Sequence, residues 1–146
     1  MNRKNVLMVL VIIVTAFALL SVVSAKEETI NRVKFNIPDG YTEDTSNSHS
    51  LQDNHTATVK SSSATVGTQE KKSFVKGDDD ITISVKSFSK GSELEVSKNP
   101  GDVEKTIHGK SGYYDSAAKN FVYFDKENSC FVIIHADEKD LDKIIS

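Results

Sequence analysis

Apolar and polar positions alternate with a period of two through much of the chain after residue 30. That is the spacing of half-buried strands. "VKFNI" at residues 33–37 alternates without interruption, and Pro38-Asp39-Gly40 stops it. Phe74 and Val75 precede a turn cluster, Gly77-Asp78-Asp79-Asp80. Beyond it Ile81, Ile83 and Val85 fall on one strand face, with Thr82, Ser84 and Lys86 on the other. "VEKTIHGKSGYYD", residues 103–115, reads as strand, turn, strand. "NFVYF" and "SCFVII", joined by the polar "DKEN", form the most apolar hairpin of the chain, and that density predicts a central place in a sheet. In this hairpin Cys130, Val132 and Ile134 share one face, opposite Phe131, Ile133 and His135. At the C-terminus the period changes. Leu141, Ile144 and Ile145 are spaced i, i+3, i+4, and Asp137 is placed to cap a helix. A helix this short is not stable alone, so it must lie on the sheet. The predicted fold class is α+β: an antiparallel sheet of about five or six strands with one short C-terminal helix packed on it, preceded by an N-terminal hydrophobic helix.

That N-terminal segment changes the picture most. Arg3 and Lys4 precede "VLMVLVIIVTAFALLSVV", residues 6–23, which carries no charge. Val23-Ser24-Ala25 then supplies the small residues a signal peptidase needs, followed by "KEE". Residues 1–25 therefore read either as a cleaved signal peptide or as an uncleaved anchor long enough to span a bilayer. In both readings residues 26–146 form a single extracytoplasmic domain: exported, and either membrane-anchored, at the cell surface or secreted. The leader holds two of the 18 Lys+Arg and none of the 21 Asp+Glu, so the remainder carries a net charge of −5. An acidic domain is a poor match for nucleic acid or anionic lipid, which leaves the membrane as a partner only through an uncleaved leader. Cys130 is the only cysteine, so no internal disulfide is available, and its apolar neighbours predict a buried, inert thiol. Residues at about 42–70 are rich in Ser, Thr, Asn and Asp, which predicts a flexible insertion. Within it, residues 58–60 and 64–66 are candidates to pair as short edge strands. Asn54-His55-Thr56 is a glycosylation sequon.

Candidate chemistry is thin. "GKS" at residues 109–111 matches the end of a phosphate-binding loop, but the glycine that should lie five residues before Gly109 is Glu104, and strand rather than helix follows. His108-Gly109 reads instead as a hairpin turn with positive φ at the glycine. Replacing Lys110 is then expected to be nearly neutral. Asp78-Asp79-Asp80 lacks the alternate spacing and the distal Glu of a calcium loop. His49 and His55, with Asp53 between them, lie in the insertion, where flexible ligands hold a metal weakly. His135 follows an apolar strand and reads as a satisfied edge residue. The expectation is therefore no catalytic, cofactor or metal residues. Tyr113 and Tyr114 point to opposite faces of one strand, so one ring belongs in the core and the other is a candidate surface contact, for example for stacking on a sugar.

The leader followed by "KFNIPDGY", the strand "DDITISV", and "KTIHGKSGYYD" followed by an aromatic hairpin and a terminal "DEKDLDKII" together resemble a group of small exported proteins of unknown function from methanogenic archaea. The resemblance spans most of residues 30–146 outside the insertion. It implies a membrane-associated or secreted domain, and it brings no activity and no site residues. The function expected from the sequence is a non-catalytic surface module that binds an envelope protein or a surface polymer. The alternative is a small extracytoplasmic hydrolase. With one short helix to cover it, the sheet is expected to keep its second face free for that partner.

Overall fold

The computed structural model describes residues 25–46 and 50–146. Residues 1–24 of the leader, and His49, lie outside the described residues. In chain order the strands are β1 (Lys26–Ile30), β2 (Val33–Ile37), β3 (Thr42–Glu43), β4 (Ala57–Val59), β5 (Val66–Lys76), β6 (Asp79–Phe88), β7 (Leu94–Val96), β8 (Val103–Ile107), β9 (Lys110–Asp115), β10 (Asn120–Asp125) and β11 (Cys130–His135), followed by helix α1 (Glu138–Ile144). Every pairing is antiparallel, and one helix closes the chain, so the α+β class holds. The main sheet has seven strands rather than five or six, in the order β3-β5-β6-β11-β10-β9-β8. The hairpin β1–β2 and the pair β4–β7 are separate two-stranded ribbons.

Turn chemistry explains the hairpins. β8 and β9 are joined by His108 and Gly109, with φ of 47° and 79°. Positive φ at both central residues is the twist-matching hairpin turn. β5 and β6 turn through Gly77 (φ 61°) and Asp78, so Asp79 and Asp80 belong to the strand and not to the turn. The loops after β9 and β10 repeat one solution. The carboxylate of Asp115 accepts from the amides of Ala117 and Ala118, and that of Asp125 accepts from the amides of Glu127 and Asn128. Each loop ends in a left-handed residue, Lys119 (φ 56°) or Ser129 (φ 52°).

The apolar hairpin is central, as predicted: β11 is the middle strand of the seven. Its face formed by Cys130, Val132 and Ile134 is fully buried, together with Ile81, Ile83 and Val85 of β6 and Phe121 and Tyr123 of β10. Two elements cover this face. One is α1, through Leu141 and Ile144, continued by Ile145 in an extended bridge to Phe35. The other is the hairpin β1–β2, whose Ile30, Val33, Phe35 and Ile37 enter the same core. Asp137 occupies the N-cap position without a capping hydrogen bond; its carboxylate turns to Lys119 at 2.7 Å instead.

The second face is not free. Thr82, Ser84, Asn120 and Val122, which point to it, are buried. Residues 50–56 lie across this face, and the β4–β7 ribbon covers more of it, with Leu94 buried beside Phe124 and Tyr113. The segment expected to be a flexible insertion thus contributes β3, β4 and the first half of β5. Residues 58–60 do not pair with 64–66; β4 pairs with β7 instead, with Thr58 opposite Glu95. Polarity misled here, because serine hydroxyls bind the segment's backbone: Ser87 Oγ accepts the Thr68 amide at 3.0 Å and donates to the Thr68 carbonyl at 3.1 Å.

Candidate functional site

The GKS stretch holds no phosphate cradle. Gly109 serves the turn, and Gly112 lies so close to β10 that a Cβ there would meet the Val122 carbonyl oxygen at 2.1 Å. The Lys110 ammonium donates to Asp125 Oδ1 at 3.2 Å and to Glu127 at 3.4 Å. Asp125 is 1 % exposed, so Lys110 is the partner of a buried carboxylate rather than a free cation. Burial would push the Asp125 carboxyl up, but the Asn128 amide and the Lys110 charge outweigh it and hold it below the usual carboxylate range. The expectation that Lys110 is dispensable therefore changes.

The two tyrosines divide as their alternation requires. Tyr114 is buried in the core, where its hydroxyl donates to the Ala136 carbonyl at 3.4 Å. Tyr113 is half-buried on the second face and lines an open groove of about 340 Å³ with Leu94, Val96 and Phe124. Phe124 is braced edge-on by Phe88, with ring centroids 6.5 Å apart. Glu95, Glu104 and Lys126 lie at the same groove. A second groove, of about 450 Å³, opens on the far side of the sheet face between Leu51, Phe131, Ile133 and Lys71.

Between the covering segments lies a cluster that the sequence did not reveal as one. The turn Asn99-Pro100-Gly101-Asp102 has Pro at its second position and Gly101 at φ 93°, and its closing amide, Asp102 N, donates to Asn99 O. It presents Asp102 to His55. The imidazole Nε2 lies 2.9 Å from Asp102 Oδ2 and Nδ1 lies 2.7 Å from Asp53 Oδ1. The side chains of His55 and Asp102 are each 1 % exposed and that of Asp53 is 7 % exposed. Asp102 Oδ2 also accepts the Asn99 amide at 2.6 Å, and Asp53 Oδ2 accepts the His55 amide at 3.1 Å. Each ring nitrogen thus faces a carboxylate oxygen, an arrangement that a ring protonated on both nitrogens satisfies in full. Burial opposes the charge, but the two carboxylates outweigh it and raise the His55 pKa above its ordinary value. The network extends to Asn120, whose amide donates to the Gln52 carbonyl at 2.7 Å and whose Oδ1 lies 3.1 Å from His135 Nδ1. His135, the last residue of the central strand, is satisfied by this contact.

What this cluster can do is constrained by its shape. A ring whose two nitrogens both donate cannot take a proton from a substrate. The carboxylates flank the ring on opposite sides and do not converge with it on one point, and among the described residues no group of three His, Cys, Asp or Glu side chains is placed to hold a metal. Cys130 is buried; burial pushes its thiol up, and Sγ lies 3.5 Å from the Asn31 carbonyl. Among the described residues no helix is long and apolar enough to cross a membrane.

The sheet, its two covering layers and the grooves beside the His55 cluster define an antiparallel α+β domain with a partly covered second face. Neither protein-family models, nor curated proteins, nor solved structures give a match to this chain.

Proposed function

We propose that the protein is exported, held at the membrane or released by its leader, and that it acts by binding rather than by turnover. Its contact surface is the Tyr113 groove, and the partner that fits it is a sugar polymer of the cell surface. The observation that supports this is the half-exposed Tyr113 ring beside Phe124, with carboxylates at the rim. A flat aromatic face with polar groups around it suits a sugar ring, which is apolar on its faces and hydroxylated at its edge. Against the hydrolase alternative stands His55, the most buried histidine side chain near a groove, which is saturated by its two aspartates.

The experiment is calorimetric titration of the purified protein with surface polysaccharide extracted from the cells that make it. Tyr113→Ala should weaken binding at least tenfold, and Tyr113→Phe should preserve it, with both variants melting as the parent does. Equal affinity in Tyr113→Ala, or binding to an envelope protein alone, would remove the polymer reading. Turnover of glycoside, ester or peptide substrates would restore the hydrolase.

A further inference from the structure

We propose that Asp53, His55 and Asp102 form a proton-dependent clasp, which holds residues 50–56 across the second sheet face at mildly acid and neutral pH and releases them as the pH rises. The inference concerns the same face as the proposed binding groove, but it rests on the geometry of the cluster and does not require that the groove bind anything.

The clasp joins two distant parts of the chain. Asp53 and His55 belong to the covering segment, while Asp102 comes from the turn before β8, 47 residues away. Each ring nitrogen faces one carboxylate, so the proton on the ring is what lets both contacts form at once. When it leaves, one nitrogen presents a lone pair to a buried carboxylate less than 3 Å away. Attraction becomes repulsion, and a buried carboxylate is left with its backbone donor but without the ring's. The charged and titratable groups around the ring do not replace that proton. Asp53 and Asp102 are its direct partners. Lys71 of β5 lines the groove at which Asp53 and His55 sit. His135 of β11 reaches the cluster through Asn120 of β10, and its Nε2 lies 3.7 Å from Asp80 of β6. The other bonds that hold the segment, from Asn120 to the Gln52 carbonyl and between Thr56 and Ser97, contribute no charge.

The direction follows from linkage. The closed form binds the proton more tightly than the open form, in which the ring has the ordinary histidine value of about 6.5. Between the ordinary carboxylate range and that value, opening is therefore independent of pH. It rises about tenfold per pH unit between the open and closed values, and then levels off. A histidine buried in its neutral form would give the opposite trend.

The test uses the full chain purified in mild detergent. Ring signals of the four histidines are followed by NMR from pH 5 to 10, with His55→Asn identifying the His55 ring. Hydrogen exchange of the His55, Thr56 and Asn99 amides is measured over the same range and corrected for base catalysis. His55 should titrate above the ordinary histidine value of about 6.5. Protection of the three amides should fall at least tenfold across that titration, while β10 and β11 keep theirs. In His55→Asn these amides should be poorly protected at every pH. Titration of His55 at or below about 6.5, or flat protection through its titration, would overturn the clasp. So would a step that survives in His55→Asn.

Discussion

Gly109 and Gly112 stand three residues apart in one hairpin and are glycine for different reasons. Gly109 needs positive φ, and no atom lies within 4 Å of the place a Cβ would take. Gly109→Ala should therefore cost about 1 kcal/mol of backbone strain. Gly112 has an ordinary backbone but no room, because the Val122 carbonyl and the Tyr123 side chain fill the space. Gly112→Ala should cost about 2–3 kcal/mol, since the strand pair must part to admit it. Urea unfolding of the two variants gives the ranking, and equal costs would contradict this account. Lys110 between them is not the neutral position its sequence context suggested. Lys110→Ala should destabilise by about 1–3 kcal/mol, because Asp125 stays buried with its backbone and Asn128 donors but loses its countercharge. The same variant should show no change in any affinity for nucleotide. The turn itself was readable in "IHGKSG", since His-Gly between alternating runs is local chemistry. The Asp125 partner was not, because nothing in the sequence says which carboxylate faces Lys110 across a sheet.

At the scale of elements, the hairpins with strong local signals were readable and the elements held by distant contacts were not. β10–β11, β8–β9 and β5–β6 follow from apolar alternation around turn residues. β1 does not: "KEETI" carries two glutamates and a lysine, and only Ile30 marks it as a strand that enters the core. Its glutamates are explained by the fold, since Glu28 pairs with Lys72 of β5 at 3.1 Å. β4 and β7 are three residues each and exist because they pair with one another across more than 30 residues of chain. The half-turn of polar chain carrying Asp53 and His55 looked mobile for the same reason, as its partner Asp102 is remote. The hairpin β1–β2 covers Cys130, and this gives a direct check of its role. Phe35, fully buried between that hairpin and the end of α1, should cost about 3–5 kcal/mol when changed to Ala. The Cys130 thiol should react slowly with an aromatic disulfide reagent in the parent, at a rate that follows unfolding. It should react markedly faster in Phe35→Ala. Rapid labelling of the parent would mean that the hairpin is not a fixed part of the core.

For the whole molecule, the titrating groups predict the shape of stability against pH. Asp125 has its pKa lowered in the fold, so its contribution is present above the unfolded value of about 3.9 and is lost as the pH falls through the folded value. His55 has its pKa raised, so its contribution is complete below about 6.5 and is lost as the pH rises through its folded value. Cys130, also raised, adds a further loss above about pH 8.5, where the unfolded thiol ionises and the buried one does not. The exposed pairs, such as Lys119–Asp137, are screened by solvent and salt and should alter this profile little. The melting temperature should therefore be highest between about pH 4 and 6.5 and should decline through neutrality, before lysine or tyrosine titrates. Scanning calorimetry at fixed ionic strength measures the profile, and two substitutions separate its limbs. Asp125→Asn should flatten the acid limb and leave the alkaline one. His55→Asn should lower the maximum and remove the decline that begins near pH 6.5, while the later loss at Cys130 persists. A melting temperature that climbs from pH 6 to 8 would mean that His55 is buried neutral, and the assignment of the ring proton would have to be reversed.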